Sequence, residues 1–183
     1  MAAKIEPILT IADVDAMPED GNRYEVIEGE LFVSRAPSLT HQDVVVNLIF
    51  SFTEYLRGNP IGKVWPASGV IFSDFSGVIP DVVYIGNERR KQIATGGRVY
   101  GAPDLIIEIL SPGTENERRD RHAKRQLYRK YGVKEYCMVD PERSAIAIYR
   151  TSKLKLVAKL GLRDQVTTPL MPGFRCSVRD ILR

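Results

Sequence analysis

Residues 102–113 read APDLIIEILSPG, and the run LIIEIL inside them is apolar almost throughout. Continuous apolar character over five or six residues marks a strand buried on both faces, in the interior of a sheet with helices against it. Yet Asp104 and Glu108 are acids, four residues apart and so on one face of that strand. An unpaired buried carboxylate is costly or takes up a proton. The rest of the chain must supply counter-charges or a metal.

Working outward, residues 79–86 read IPDVVYIG and repeat the Pro-Asp opening, with Asp81 at the start of a second apolar strand. Strands over 63–72 and 78–85, joined by SDFSG, suit an antiparallel hairpin. Upstream the pattern predicts a short helix at 11–17 and strands at 23–27 and 31–34 turned by EGE. A long helix over 41–57 follows, with Thr40 as N-cap, Gly58 as stop and Val45, Leu48, Ile49, Phe52 and Leu56 on one face. His41 projects onto that apolar face from the first turn.

A polar loop carrying NERRKQ and a Gly-Gly pair leads into residues 104–110. Thr114 and Glu117 have capping-box spacing for a helix over 116–131 that Gly132 closes. KEYCMVD, AIAIYR and KLKLVAK then read as antiparallel strands, the first two turned by PERS, and VRDILR as a terminal helix. The order predicts a single domain over 1–183 of α/β class, mixed α+β in type. Its central mixed β-sheet is flanked by helices, with an extra N-terminal hairpin and C-terminal antiparallel strands.

Composition narrows the function classes. The 183 residues are 44% hydrophobic and 27% charged, those of an ordinary globular protein, with no apolar run long enough to cross a membrane and no leader-like start. A cytoplasmic location is expected. Two cysteines and two histidines at unsuitable spacing argue against structural zinc. The net charge of +3 is compatible with a polyanion but does not demand one.

On the 116–131 helix, Ala123, Leu127 and Tyr131 define the inward stripe, and Asp120 and Lys124 fall within it. Arg118, His122, Arg125 and Arg129 point the other way. Asp120 and Lys124 read either as an ordinary i,i+4 pair or as an arrangement in which Lys124 reaches the sheet carboxylates. Asp104 reads equally as a strand-start residue in a wet turn, whereas Glu108, between Ile107 and Ile109, is harder to explain that way. Carboxylates meeting at a strand edge need a cation between them, and such hard oxygen ligands suit Mg2+ or Mn2+.

The segments PDVVY and PDLIIEILSPGTENERRDRHAKRQLYRKYGVKEYCMVDP, with RYEVIEGEL and PGF on either side, resemble the Uma2 family of the PD-(D/E)xK, restriction-endonuclease-like nuclease superfamily. The resemblance implies metal-dependent hydrolysis of phosphodiester bonds in DNA. Asp81 and Glu108 would be the metal ligands for Mg2+ or Mn2+. The superfamily's lysine, two residues after the second acid, is Leu110 here, and Lys124 from the next helix would replace it. His41 would hydrogen-bond the site or shuttle a proton. Glu25 and Glu28 match family acids; alternation puts them on opposite faces, and Glu28 is the one retained as a further candidate. Cys137 stands where relatives usually carry tryptophan. A homodimer is also implied, because nucleases of this fold often pair to cut two strands. Two other readings stay open: a catalytically inactive nuclease-fold protein serving as a nucleic-acid-binding or oligomeric module, and buried ion pairs that hold no ligand.

Overall fold

A computed structural model describes residues 8–111 and 115–183, and within the helix beginning at residue 115 it describes side chains from residue 122 onward. The chain runs α1 (Ile11–Asp15), β1 (Arg23–Ile27), β2 (Glu30–Ser34), α2 (Leu39–Gly58), β3 (Gly62–Pro66), β4 (Val70–Ser73), β5 (Ser76–Val78) and β6 (Val82–Gly86). It continues through α3 (Asn87–Ile93), β7 (Ala94–Thr95), β8 (Arg98–Tyr100), β9 (Leu105–Ile109), α4 (Glu115–Tyr131), β10 (Glu135–Asp140), β11 (Ala145–Arg150) and β12 (Lys155–Leu160). β13 (Gln165–Val166), β14 (Cys176–Ser177) and α5 (Val178–Leu182) complete it.

The core sheet has the order β12-β11-β10-β9-β6-β3. β3, β6 and β9 pair antiparallel, and β10 then pairs parallel to β9. A parallel neighbour needs a crossover, and α4 provides it. β9 is buried along its whole length, as its composition requires. Leu105, Ile107 and Ile109 pack with Val44, Leu48 and Phe52 of α2, while Ile106 packs on the opposite side with Leu127 and Tyr128 of α4.

That second face differs from expectation. Beside α4 it is covered by Ile27, Val70 and Val78, which belong to a second six-stranded sheet of order β2-β1-β5-β4-β8-β7. The expected 63–72/78–85 hairpin is therefore two hairpins end to end: β3 with β6 in the core sheet, and β4 with β5 in the second. The chain changes sheets at Ala67, which adopts a left-handed φ of 43° and donates its N–H to Asp81 O at 3.0 Å. On the returning strand Pro80 has no N–H to give a ladder, so pairing breaks there too. Asp81 lies at this corner.

Three local expectations are corrected. Ser38, not Thr40, caps α2, with Oγ accepting the His41 N–H at 3.2 Å, so the helix begins at Leu39. NERRKQ is helical in α3 instead of looped; Ile93 anchors it in the core, and Arg89 Nε donates to Ala102 O at 3.2 Å. Strand β7 and its partner β8 frame the Gly-Gly turn. The Thr114/Glu117 capping box and the side chain of Asp120 lie outside the described residues. Gly132 closes α4 with φ of 82°, a conformation for which a residue without Cβ is suited. No helix among the described residues is long and apolar enough to cross a membrane.

Candidate active site

The β6–β9 register pairs Val82 with Ile107 and then stops. One step further, where a ladder bond would stand, the side chain of Asp81 takes over: Oδ2 accepts the Ile109 N–H at 2.8 Å. The same oxygen accepts from His41 Nε2 at 3.1 Å. Oδ1 accepts from Arg23 Nη1 at 3.2 Å, and Arg23 also donates to Ile79 O at 3.1 Å. Burial pushes the Asp81 carboxyl up, but the hydrogen bond and charge of His41, then Ile109 N–H and Arg23, hold it below the usual range. Because ionised Asp81 can only accept, the hydrogen of this bond is on His41 Nε2. Its Nδ1 is buried and has no hydrogen-bond partner among the described residues.

Glu108 stands across from Asp81 on β9, 8% exposed. Its Oε1 accepts from Tyr128 Oη at 2.5 Å and lies 3.4 Å from Lys124 Nζ. Lys124 and Tyr128 are one turn apart on α4 and share its inward face. Lys124 Nζ is also 2.9 Å from Glu25 Oε2, and Glu25 Oε1 accepts the Ile79 N–H at 2.6 Å. Burial raises the Glu108 carboxyl, Lys124 draws it down, and the carboxylates of Asp81 and Glu25 raise it again, leaving it pushed up to about 8. Burial, reinforced by Glu108 and Glu25, drives the Tyr128 phenol well above its usual value.

Arg23, Glu25, His41, Asp81, Glu108 and Lys124 line a cleft of about 450 Å³ between the sheets, α2 and α4, and Tyr128 stands behind Glu108. The cleft brings together Asp81, Glu108, Lys124 and His41, and Leu110 lies on its wall. It does not include Asp104 or Glu28. Asp104 is at the far end of β9, where Oδ2 accepts the Gly86 N–H at 2.8 Å and Oδ1 meets Lys134 Nζ at 2.6 Å. It is a strand-start residue. Glu28 occupies the β1–β2 turn with φ of 52°, and its carboxylate pairs with Lys130 Nζ at 2.8 Å outside the cleft.

The structure brings Glu25 rather than Glu28 to the cleft, and adds two residues not singled out from the sequence, Arg23 on Asp81 and Tyr128 on Glu108. The signal for the first strand was present: Arg23, Glu25 and Ile27 alternate along β1 and share one face, and Ile27 is core. Tyr128 could have been found from its spacing to Lys124.

Among the described residues no cluster of three or more His, Cys, Asp or Glu is disposed to hold a metal ion. Mg2+, however, is commonly bound through one or two carboxylates and keeps several waters. The charge balance suits such an ion, since Asp81, Glu108 and Glu25 crowd against Arg23 and Lys124 and Glu108 holds its proton to about 8. Asp81 and Glu108, facing each other across the β6–β9 edge and both lining the cleft, could hold it.

The core thus runs as a helix, three antiparallel strands, a crossover helix and a parallel fourth strand, with Asp81 just before the second strand and Glu108 on the third, an architecture it shares with a nuclease of known structure. The crystal structure of "a putative nuclease belonging to DUF820" from Anabaena variabilis ATCC 29413 is similar, with a TM-score of 0.78 and 19% identity over 95% of this chain and 97% of that one. The family described as "Uma2: Putative restriction endonuclease" matches residues 11–179, and the chain belongs to that family. A comparison with curated proteins finds no match.

Proposed function

We propose that this protein is a Mg2+- or Mn2+-dependent endonuclease that hydrolyses phosphodiester bonds of DNA in the cleft between α2 and α4. The observation that carries the reading is the buried Lys124, delivered from the crossover helix to within 3.4 Å of Glu108 while Leu110 occupies the usual lysine position. Asp81 and Glu108 hold the ion, which when bound supplies charge stabilisation at the phosphate and lowers the pKa of water. His41 Nε2 and the Ile109 N–H fix the orientation of Asp81. Tyr128 fixes the Glu108 carboxylate through Oε1.

Glu25 anchors Lys124, whose ammonium then orients the attacking water or offsets negative charge in the transition state. The first turn of α2 opens on the same cleft through Ser38 and His41, and Arg35 adds a positive charge. Backbone N–H groups at a long helix's start favour an anion such as phosphate. Nucleases of this fold often pair to cut two strands, and the resemblance to them is the ground for proposing a homodimer.

The test is incubation of purified protein with single- and double-stranded DNA and Mg2+ or Mn2+, beside Asp81→Ala and Glu108→Ala. Metal-dependent cleavage is expected in the wild type and not in the variants; equal trace activity in all three ends the catalytic claim. Salt-dependent DNA binding without cleavage in the wild type would instead favour the binding-module reading, for which Leu110 is the motivating residue.

A further inference from the structure

Asp81 Oδ2 is committed to two donors, His41 Nε2 at 3.1 Å and Ile109 N–H at 2.8 Å. Oδ1 is the oxygen a ligand would approach, and Arg23 Nη1 sits on it at 3.2 Å. Arg23 has a second partner in Ile79 O at 3.1 Å, so it need not leave the cleft when it releases Asp81. Its side chain is 25% exposed, unlike the enclosed Lys124 at 8%, and it lines the cleft wall. A guanidinium and a divalent cation at one carboxylate oxygen repel each other. A phosphate offers the guanidinium a planar, bidentate partner at least as good as the one lost.

We infer that Arg23 is a positioning residue that occupies Asp81 Oδ1 in the metal-free protein and transfers to a nucleic-acid phosphate when the metal binds. Metal and phosphodiester therefore bind cooperatively, each favouring the arrangement the other needs. This rests on the reading that Asp81 and Glu108 hold the metal.

The experiment is calorimetric titration of Mn2+ into the full chain, with and without a phosphorothioate oligonucleotide, for wild type, Arg23→Gln, Arg23→Lys, Arg35→Gln and Glu108→Ala. Without oligonucleotide, Arg23→Gln should bind Mn2+ roughly tenfold more tightly, the factor a lost charge-assisted competitor implies. Damage to the fold would weaken binding, so a gain is not explained by it. Arg35→Gln removes another cation of the cleft that is not on Asp81 and should give a smaller gain. Arg23→Lys, which keeps the charge, should fall between Arg23→Gln and wild type, and provides the same ordering if the glutamine variant folds poorly. The oligonucleotide should tighten Mn2+ binding in the wild type and do so far less in Arg23→Gln. If Glu108→Ala abolishes Mn2+ binding but neither Arg23 variant exceeds Arg35→Gln, the role of Arg23 is overturned and the metal site stands. If Glu108→Ala binds Mn2+ as the wild type does, the metal reading fails, and the Arg23 inference with it.

Discussion

Glu108 on β9 and Glu135 on the adjacent β10 are both buried glutamates in the same sheet, 8% and 1% exposed. Glu135 is saturated: Oε2 accepts from Arg150 Nε at 2.7 Å and Thr168 Oγ1 at 3.0 Å, and Oε1 accepts from Arg150 Nη2 at 3.4 Å. It has a planar fork of opposite charge and lies on the α2 side of the sheet, beside buried Cys137 and Val139. Glu108, on the α4 side, has both its polar side-chain contacts among the described residues on Oε1, two further carboxylates nearby, and a cleft in front of it. Burial of an acid is thus no mark of a site. What separates the two is incomplete satisfaction among like charges, a condition under which a carboxylate is receptive to a cation.

The largest expected difference is in chemistry. Glu108→Ala should lower metal-dependent cleavage by on the order of a thousandfold, the loss of several kcal/mol of transition-state stabilisation. Glu135→Ala, assayed at a temperature where it remains folded, should cleave at close to the wild-type rate. A comparable loss in Glu135→Ala under those conditions would erase the distinction.

In stability the order reverses. Glu135→Ala strands Arg150 and should cost about 3 kcal/mol in denaturant unfolding, the low end for one member of a buried pair because Arg150 is partly exposed. Glu108→Ala, which relieves carboxylate crowding, should cost distinctly less.

A pH series sharpens the contrast. The Glu108 carboxyl is raised from 4.5 to about 8. Between those values the unfolded chain has released the proton and the folded chain retains it, so stability falls as pH rises through the window. Glu108→Gln lacks this loss. Its melting temperature in metal-free buffer should gain on the wild type from pH 4.5 towards 8 and then level off. A pH-independent difference would mean that Glu108 is as well paired as Glu135.

The smallest expected effect is a rescue at position 110. Lys124→Met should abolish most cleavage, and adding Leu110→Lys in that background should recover roughly tenfold, because Leu110 lies on the same cleft wall. No recovery would show that the cation must come from α4.

Much of this was legible residue by residue. Acids inside apolar runs drew attention to Asp81 and Glu108, and the 3.6-residue period turned Lys124 inward. Alternation placed Asp104 and Glu108 on one face but said nothing of their partners, and Asp104 proved to serve Gly86 and Lys134 at the other strand end. The second sheet was harder to read because β5, β7 and β8 have only two or three residues each, too few to display a period. Without that sheet nothing marked which face of β1 meets the cleft, although the alternation of Arg23, Glu25 and Ile27 was there to be read.

Local periodicity by itself determined which strand is buried on both faces, which acids lie in it and which helix face carries the lysine. Such facts follow from side-chain direction and from the cost of burying charge. Only the tertiary structure decided that Asp81 sits at a corner between two sheets, that Arg23 reaches it from 58 residues away, and that Glu25 holds Lys124. Hydrogen bonds and ion pairs act over about 3 Å. Whether two distant residues come that close is settled by how the sheets pack.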